Sequence, residues 1–116
     1  MPLNYNCPFT FLCAVVLSAQ TTDGKVNEVT DVLFKIAPNP LVMSKMDPAE
    51  VEKIIKIVGL APKKSNYLVG LSKKLVENYN GKVPSEYADL ESLPGVGRKT
   101  ASVVRSQVSY TSILST

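Results

Sequence analysis

The run Leu93-Pro94-Gly95-Val96-Gly97-Arg98-Lys99-Thr100-Ala101 constrains this chain more than any other segment. A leucine precedes a Pro-Gly turn, two glycines bracket one apolar residue, and two cations open whatever follows. A Pro-Gly pair stops an incoming helix, so the text reads as helix, tight turn, helix. Glycine at 95 and 97 lets the backbone come close to a ligand without Cβ obstruction. The first amides of the following helix lack partners within it and carry the positive end of its dipole. A turn of this kind is shaped to hold a phosphate.

The rest of the chain has to supply helices to hold that turn, and it does. Pro8 to Ser18 is apolar on nearly every face, as in a helix buried within a core. From Asp23, the positions Val26, Val29, Leu33 and Ile36 repeat at helical spacing until Pro38 and Pro40 stop them. Leu41 to Lys45 reads as one short turn. Asp47-Pro48-Ala49-Glu50 gives a cap, a proline at the first helical position and a capping-box glutamate. Val51, Ile54, Ile55 and Val58 then form a buried stripe that Gly59 ends. After Pro62 a longer helix turns Leu68, Leu71, Leu75 and Val76 inward and leaves Lys63, Lys64, Lys73 and Lys74 for solvent. Asn80-Gly81 closes it. A short helix from about Ser85 to Ser92 leads into the hairpin, and the last runs from about Gly97 to Val108. No stretch alternates with period two. The expected class is all-α, about six helices joined by short loops.

With 116 residues the chain holds one domain with one modest core. Its net charge of +3 is mild, so any grip on nucleic acid has to come from local clustering. The sequence contains no histidine, and its two cysteines, Cys7 and Cys13, lack CxxC spacing. Zinc sites and Ser-His or Cys-His pairs are thereby excluded from this sequence, and no metal site is expected. Reduced structural cysteines in an intracellular protein are the plain reading. The apolar run from Phe9 to Ala19 has no preceding Lys or Arg and no small-x-small cleavage pattern, so it does not read as a signal peptide. It is too short to span a bilayer. No membrane association is expected.

By itself a helix-hairpin-helix, about 86–104, has two readings. One is sequence-independent grip on a phosphate backbone, and the other is a tight corner between helices with no ligand. Arg98 and Lys99 favour DNA, with contacts that position the protein and carry no base information. Lys99 sits in the first helical turn, where the dipole and Arg98 both disfavour an ammonium and favour the free amine that a Schiff-base nucleophile requires. A lysine that simply pairs with a phosphate accounts for the same text.

A second motif bears on that choice. Leu17-Ser18-Ala19-Gln20-Thr21-Thr22-Asp23 joins two helices and is followed by Val26-Asn27. Locally, Thr22 or Asp23 caps the incoming helix, and Gln20 is an amide in a loop. The pattern Leu-Ser-Ala-Gln-x-Thr-Asp-x-x-Val-Asn, followed far downstream by Leu-Pro-Gly-Val-Gly-Arg-Lys-Thr-Ala, resembles the endonuclease III family of DNA glycosylases, of the HhH-GPD superfamily. Ile57-Val58-Gly59-Leu60 and Gly81-Lys82-Val83-Pro84 fall where that family has similar text. The resemblance runs from about Pro8 to Val104.

It implies a six-helix domain over 8–104 carrying the hairpin, with an N-terminal extension at 1–7 and a divergent tail at 105–116. It further implies a base-excision-repair glycosylase/AP lyase that excises oxidised pyrimidines and cleaves the abasic site. Lys99 would be the nucleophile on C1′ of a flipped nucleotide. Leu93, Pro94, Gly95, Val96, Gly97, Arg98 and Thr100 would hold DNA around the hairpin, and Gln20 would fill the gap left by the flipped base. The implied partner is double-stranded DNA with damaged bases or abasic sites. The chain would act as a monomer in an intracellular, DNA-bearing compartment, whether nucleus, bacterial cytoplasm or organelle.

Two departures qualify the resemblance. The family carries a catalytic aspartate in a Val-Asp-Thr-His stretch beyond the lysine, and this chain reaches Thr116 short of that place. The family's second helical domain and its iron–sulfur cysteines are also missing from this sequence, so no cluster or other cofactor is expected. A chain cut short at its C-terminus, through truncation, alternative splicing or a gene-model error, is the expectation. An alternative function follows: a catalytically inactive helix-hairpin-helix module that binds DNA. A helical protein-interaction domain with no DNA role is the third reading.

Overall fold

The computed structural model describes residues 7–114, with side chains described through Gln107. Among the described residues all regular structure is helical, as expected. The order is α1 (Pro8–Ser18), α2 (Asp23–Ile36), α3 (Pro40–Ser44), α4 (Pro48–Ile54), α5 (Ala61–Asn78), α6 (Tyr87–Glu91) and α7 (Arg98–Leu114). The count exceeds the expected six because the turn after Pro40 closes as a helix in its own right. Asn39 accepts the amide of Val42 at 2.9 Å, and Pro40 stands at the first helical position.

The other boundaries follow equally local chemistry. Thr22 caps α2 by accepting the Lys25 amide at 3.4 Å. The capping box of α4 is complete: Asp47 accepts from the Ala49 amide at 3.0 Å, and Glu50 reaches back to the Asp47 amide at 3.2 Å. That helix ends at Ile54, earlier than its apolar stripe suggests, and Ile55 and Val58 enter the core from turns instead. α5 closes where Gly81 takes the left-handed conformation and donates its amide to Leu75 at 2.8 Å. α7 does not break near residue 105 but continues to Leu114.

α1 is the central element, packed against α2, α5 and α7. Leu12, Cys13, Ala14 and Leu17 are wholly enclosed there, which explains why α1 is apolar all round. α5 forms a second spine, with α3 and α4 on one side and α1 on another, and α6 closes against α7. Both cysteines are free thiols, and burial with the nearby Cys7 pushes the Cys13 thiol far up, so it stays protonated. Among the described residues no buried side-chain polar atom lacks a hydrogen-bond partner.

One lysine contradicts the expected solvent face of α5. Lys64 is only 2% exposed. It lies four residues before Leu68 and seven before Leu71, on the buried stripe of the helix. Its ammonium is tolerated inside because it donates to three oxygens: the carbonyls of Leu17, at 2.8 Å, and Ala19, and the Thr21 hydroxyl at 3.0 Å. Burial pushes its pKa below the ordinary lysine value.

Candidate nucleic-acid interface

The hairpin is built as the sequence suggests, and α5 is what holds it. Gly95 has φ 79°, and a Cβ there would meet the Tyr67 ring at 2.6 Å. Gly70 lies against Pro94 in the same way, with 3.3 Å between an added Cβ and the proline ring. One turn further on, Lys74 Nζ donates to the Ser92 carbonyl at 3.0 Å. Tyr67, Gly70 and Lys74 recur at helical spacing, so one face of α5 seats the whole turn. Leu93 and Val96 fasten it from inside, both being buried.

Beyond that turn the backbone is left open. Among the described residues, no acceptor is found for the amide of Gly97, just before α7, or for those of Arg98, Lys99 and Thr100, its first three residues. Among the described residues no side chain caps this end. A Cβ added at Gly97 would meet nothing within 4 Å, so the space beside that residue is clear. The Val96 amide does not belong with them. It donates to the Leu93 carbonyl at 3.2 Å and shapes the turn.

Arg98 is also committed elsewhere. Its guanidinium lies 3.7 Å from the centroid of the Tyr87 ring and 3.4 Å from Glu91. The aromatic stack and the carboxylate hold this cation toward α6. Arg105 covers the Tyr87 ring at 4.8 Å and donates to the Ser85 carbonyl at 3.0 Å. Hydrogen bonding to Ser102, with help from the two arginines, draws the Tyr87 hydroxyl below its ordinary pKa. Asp89 accepts from the Tyr79 hydroxyl at 3.1 Å, and Glu91 faces Arg98. Both carboxylates near the hairpin are therefore occupied.

The two sequence motifs meet in one cleft of about 410 Å³. Phe11 and Val15 of α1 and Val103 of α7 form its apolar wall. Gln20 from the first motif and Lys99 and Thr100 from the second complete its lining with Ser18 and Ala19. Lys99 is exposed, and among the described residues it has no hydrogen-bond or ion-pair partner. No carboxylate among the described residues lines this cleft.

Gln20 has φ 58°, a left-handed backbone that is costly for a side chain of its size. Beside it lies a residue whose part the sequence reading missed. Leu60 has φ 59° and is 50% exposed at the start of α5. The two loops touch: a Cβ on Gly59 would stand 3.0 Å from the Gln20 carbonyl, and the Gly59 amide donates to Thr21 Oγ1 at 2.9 Å. Nothing local in Gly59-Leu60-Ala61-Pro62 announces a left-handed leucine. The one available signal is an apolar residue directly before a helix start with no polar cap.

The cleft brings together a lysine without a partner among the described residues and a glutamine with left-handed backbone, next to helix amides without acceptors. Residues 13–110 match the family model described as HhH-GPD superfamily base excision DNA repair protein. The chain belongs to the HhH-GPD superfamily. Endonuclease III of Escherichia coli strain K12 is 45% identical over 102 residues, covering 88% of this chain and 48% of that protein. The Synechocystis endonuclease III is 41% identical over the same length. A solved structure of a trapped endonuclease III–DNA covalent intermediate, an estranged-adenine complex, matches with a TM-score of 0.86 at 44% identity, covering 90% of this chain and 49% of that one. A thermostable thymine-DNA glycosylase gives 0.78 at 30% identity, covering 84% and 45%. This HhH-GPD chain thus spans about half the length of the relatives it matches.

The HhH-GPD match extends to residue 110, past the expected end of the resemblance at Val104. Cys7 and Cys13 do not fit an iron–sulfur cluster, since Cys13 is sealed in the α1 core as a protonated thiol. Among the described residues, no helix is long and apolar enough to cross a membrane.

Proposed function

We propose that this domain holds a damaged duplex by its hairpin and presents Lys99 to the sugar of an everted nucleotide. That is the chemistry of a base-excision-repair glycosylase/AP lyase of the endonuclease III type, acting on oxidised pyrimidines and abasic sites. The observation that carries the reading is the shared cleft, because Gln20 and Lys99 come from opposite ends of the chain and line one cavity. The chain works as a monomer on double-stranded DNA in an intracellular, DNA-bearing compartment.

The open amides from Gly97 to Thr100 take a phosphate and fix the register of the duplex. The loops that carry Gln20 and Leu60 meet at Gly59, which brings a hydrogen-bonding amide near an exposed apolar side chain. Together they unstack a base step and fill the gap once a nucleotide leaves it. Weakly paired bases evert at lower cost and are selected by that difference.

In the cleft, Lys99 Nζ attacks C1′ of the everted nucleotide, the glycosidic C–N bond breaks, and the base leaves with the electron pair. The amine then loses a proton, the C1′–O4′ bond opens with O4′ taking up a proton, and the iminium so formed acidifies the C2′ proton. Its loss expels the 3′ phosphate, and water then hydrolyses the imine. At a preformed abasic site the same amine condenses with the C1′ aldehyde and releases water. The hairpin amides and the apolar wall of Phe11, Val15 and Val103 orient the sugar and keep bulk water from it.

The absence of a carboxylate among the described cleft residues favours a second reading, a module that grips DNA without catalysis. Borohydride separates the two. Incubating the chain with abasic duplex and borohydride should give a covalent adduct on a denaturing gel, and Lys99→Ala should abolish it. No adduct from folded protein leaves the binding module.

A further inference from the structure

We infer that Lys64 is a positioning residue that locks the Gln20 and Leu60 loops together as one rigid two-pronged wedge. The inference rests on the reading above that these two side chains enter the duplex. Gln20 and Leu60 lie on separate loops, and neither loop contains a helix or strand to stiffen it. Both have left-handed backbone at the residue that matters. Such conformations persist only where their surroundings determine them.

The Gln20 turn is closed by the Thr21 amide on the Ser18 carbonyl at 3.2 Å, and a small network centred on one ammonium ties it to the second loop. Lys64 Nζ donates to the carbonyls of Leu17 and Ala19, at the end of α1 and just before Gln20. It also donates to Thr21 Oγ1 at 3.0 Å, just after Gln20. The glutamine is bracketed by partners of one lysine. Thr21 Oγ1 in turn accepts the Gly59 amide at 2.9 Å, which joins the first loop to the residue preceding Leu60. The Lys64 amide donates to the Leu60 carbonyl at 2.9 Å and completes the circuit. Side chain and main chain of the same residue therefore hold both prongs.

The placement also suits the helix end. The final carbonyls of α1 carry the negative end of its dipole, and a cation there replaces the partners a longer helix would supply. A charge buried at 2% exposure is retained only if it is fully bonded, and removing it takes a donor from three oxygens at once, of which Thr21 Oγ1 keeps the Gly59 amide and the Ala19 carbonyl keeps the Thr21 hydroxyl. Lys64 is remote from the reacting atoms. Lys99 and Thr100 line the cleft and Lys64 does not.

The test uses the whole chain with fluorescent duplexes, intact or carrying one abasic site, and variants Lys64→Met, Lys64→Arg, Thr21→Val and Gln20→Ala. A wedge that fills a gap contributes to abasic duplex and little to intact duplex, whereas the hairpin serves both. Lys64→Met is expected to reduce the abasic-over-intact preference by about tenfold, the scale of lost charge-assisted bonds, with intact-duplex affinity unchanged. Thr21→Val should do the same in part, and Lys64→Arg should restore most of the preference. In the double variant with Gln20→Ala the losses should not add, because both remove one wedge.

An unchanged preference in folded Lys64→Met, or additive losses, overturns the inference. If Lys64→Met does not fold, Thr21→Val with Lys64→Arg decides by the same measure. Amide hydrogen exchange of the DNA-free chain separates this inference from the functional reading. Exchange across residues 19–22 should quicken in Lys64→Met while that of the hairpin does not, and equal exchange overturns the lock. A wild-type chain with no abasic preference defeats the functional reading, and with it the wedge.

Discussion

Gly95 and Gly97 look alike in the sequence and do different work. Gly95 holds φ 79° with the Tyr67 ring 2.6 Å from where its Cβ would be, so it is required by the fold. Gly97 has clear space and no left-handed backbone, so it is required only if something else is to fill that space. Gly95→Ala should therefore lower stability by about 1–3 kcal/mol, through strain and displacement of Tyr67. Gly97→Ala should leave the urea midpoint within about 0.5 kcal/mol of wild type and still weaken DNA binding severalfold. Paired denaturation and binding curves check both. The same scale shows what could be read in advance. Lys99 and Gln20 were legible because each sits in a long motif. Lys64 was not, because residue type outweighed position: its spacing to Leu68 and Leu71 marks a buried site, and only partners distant in sequence make a lysine acceptable there. Arg98 was expected to hold DNA, and its contacts with Tyr87 and Glu91 were not legible because they form only once α6 has folded against α7.

Among the elements, α5 sets the geometry of the whole interface. Lys64 at its first turns holds the wedge loops, and Tyr67, Gly70 and Lys74 seat the hairpin further along. The distance between wedge and hairpin is then the rise of one straight helix, about 1.5 Å per residue. Gly70→Val should disturb this. Its Cβ would lie 3.3 Å from the Pro94 ring, and the extra methyls have no room without moving the hairpin. A destabilisation of about 1–3 kcal/mol is expected, with a loss of affinity for intact and abasic duplex alike, measurable by thermal denaturation and titration. That uniform loss distinguishes it from Lys64→Met. Helix existence was legible from periodicity and caps, most clearly in the capping box at Asp47 and Glu50. Ends were less so. α4 stops at Ile54 although Ile55 and Val58 continue its apolar pattern, because turns as well as helices can deliver a side chain to the core.

For the molecule as a whole, the mild charge of +3 fits an interface that grips by backbone amides more than by paired cations. Arg98 is held by Glu91, and Lys64 is buried. Counterion release is counted in cations brought to phosphates, at a slope of about 0.9 for each. The dependence of log K on log salt should therefore be shallow, with a magnitude of about one to three, and Lys99→Ala should reduce it by about one. A slope steeper than that would mean a broad basic face in place of a local clasp. The left-handed backbone at Gln20 and Leu60 adds one more consequence at this scale. If Gln20 and Leu60 enter the duplex as proposed, the probe already has its working shape and needs no reorganisation at each encounter, so its dwell time at a base step is set by how readily that step opens. The duplex's own breathing, and not a motion of the protein, becomes the clock of the search.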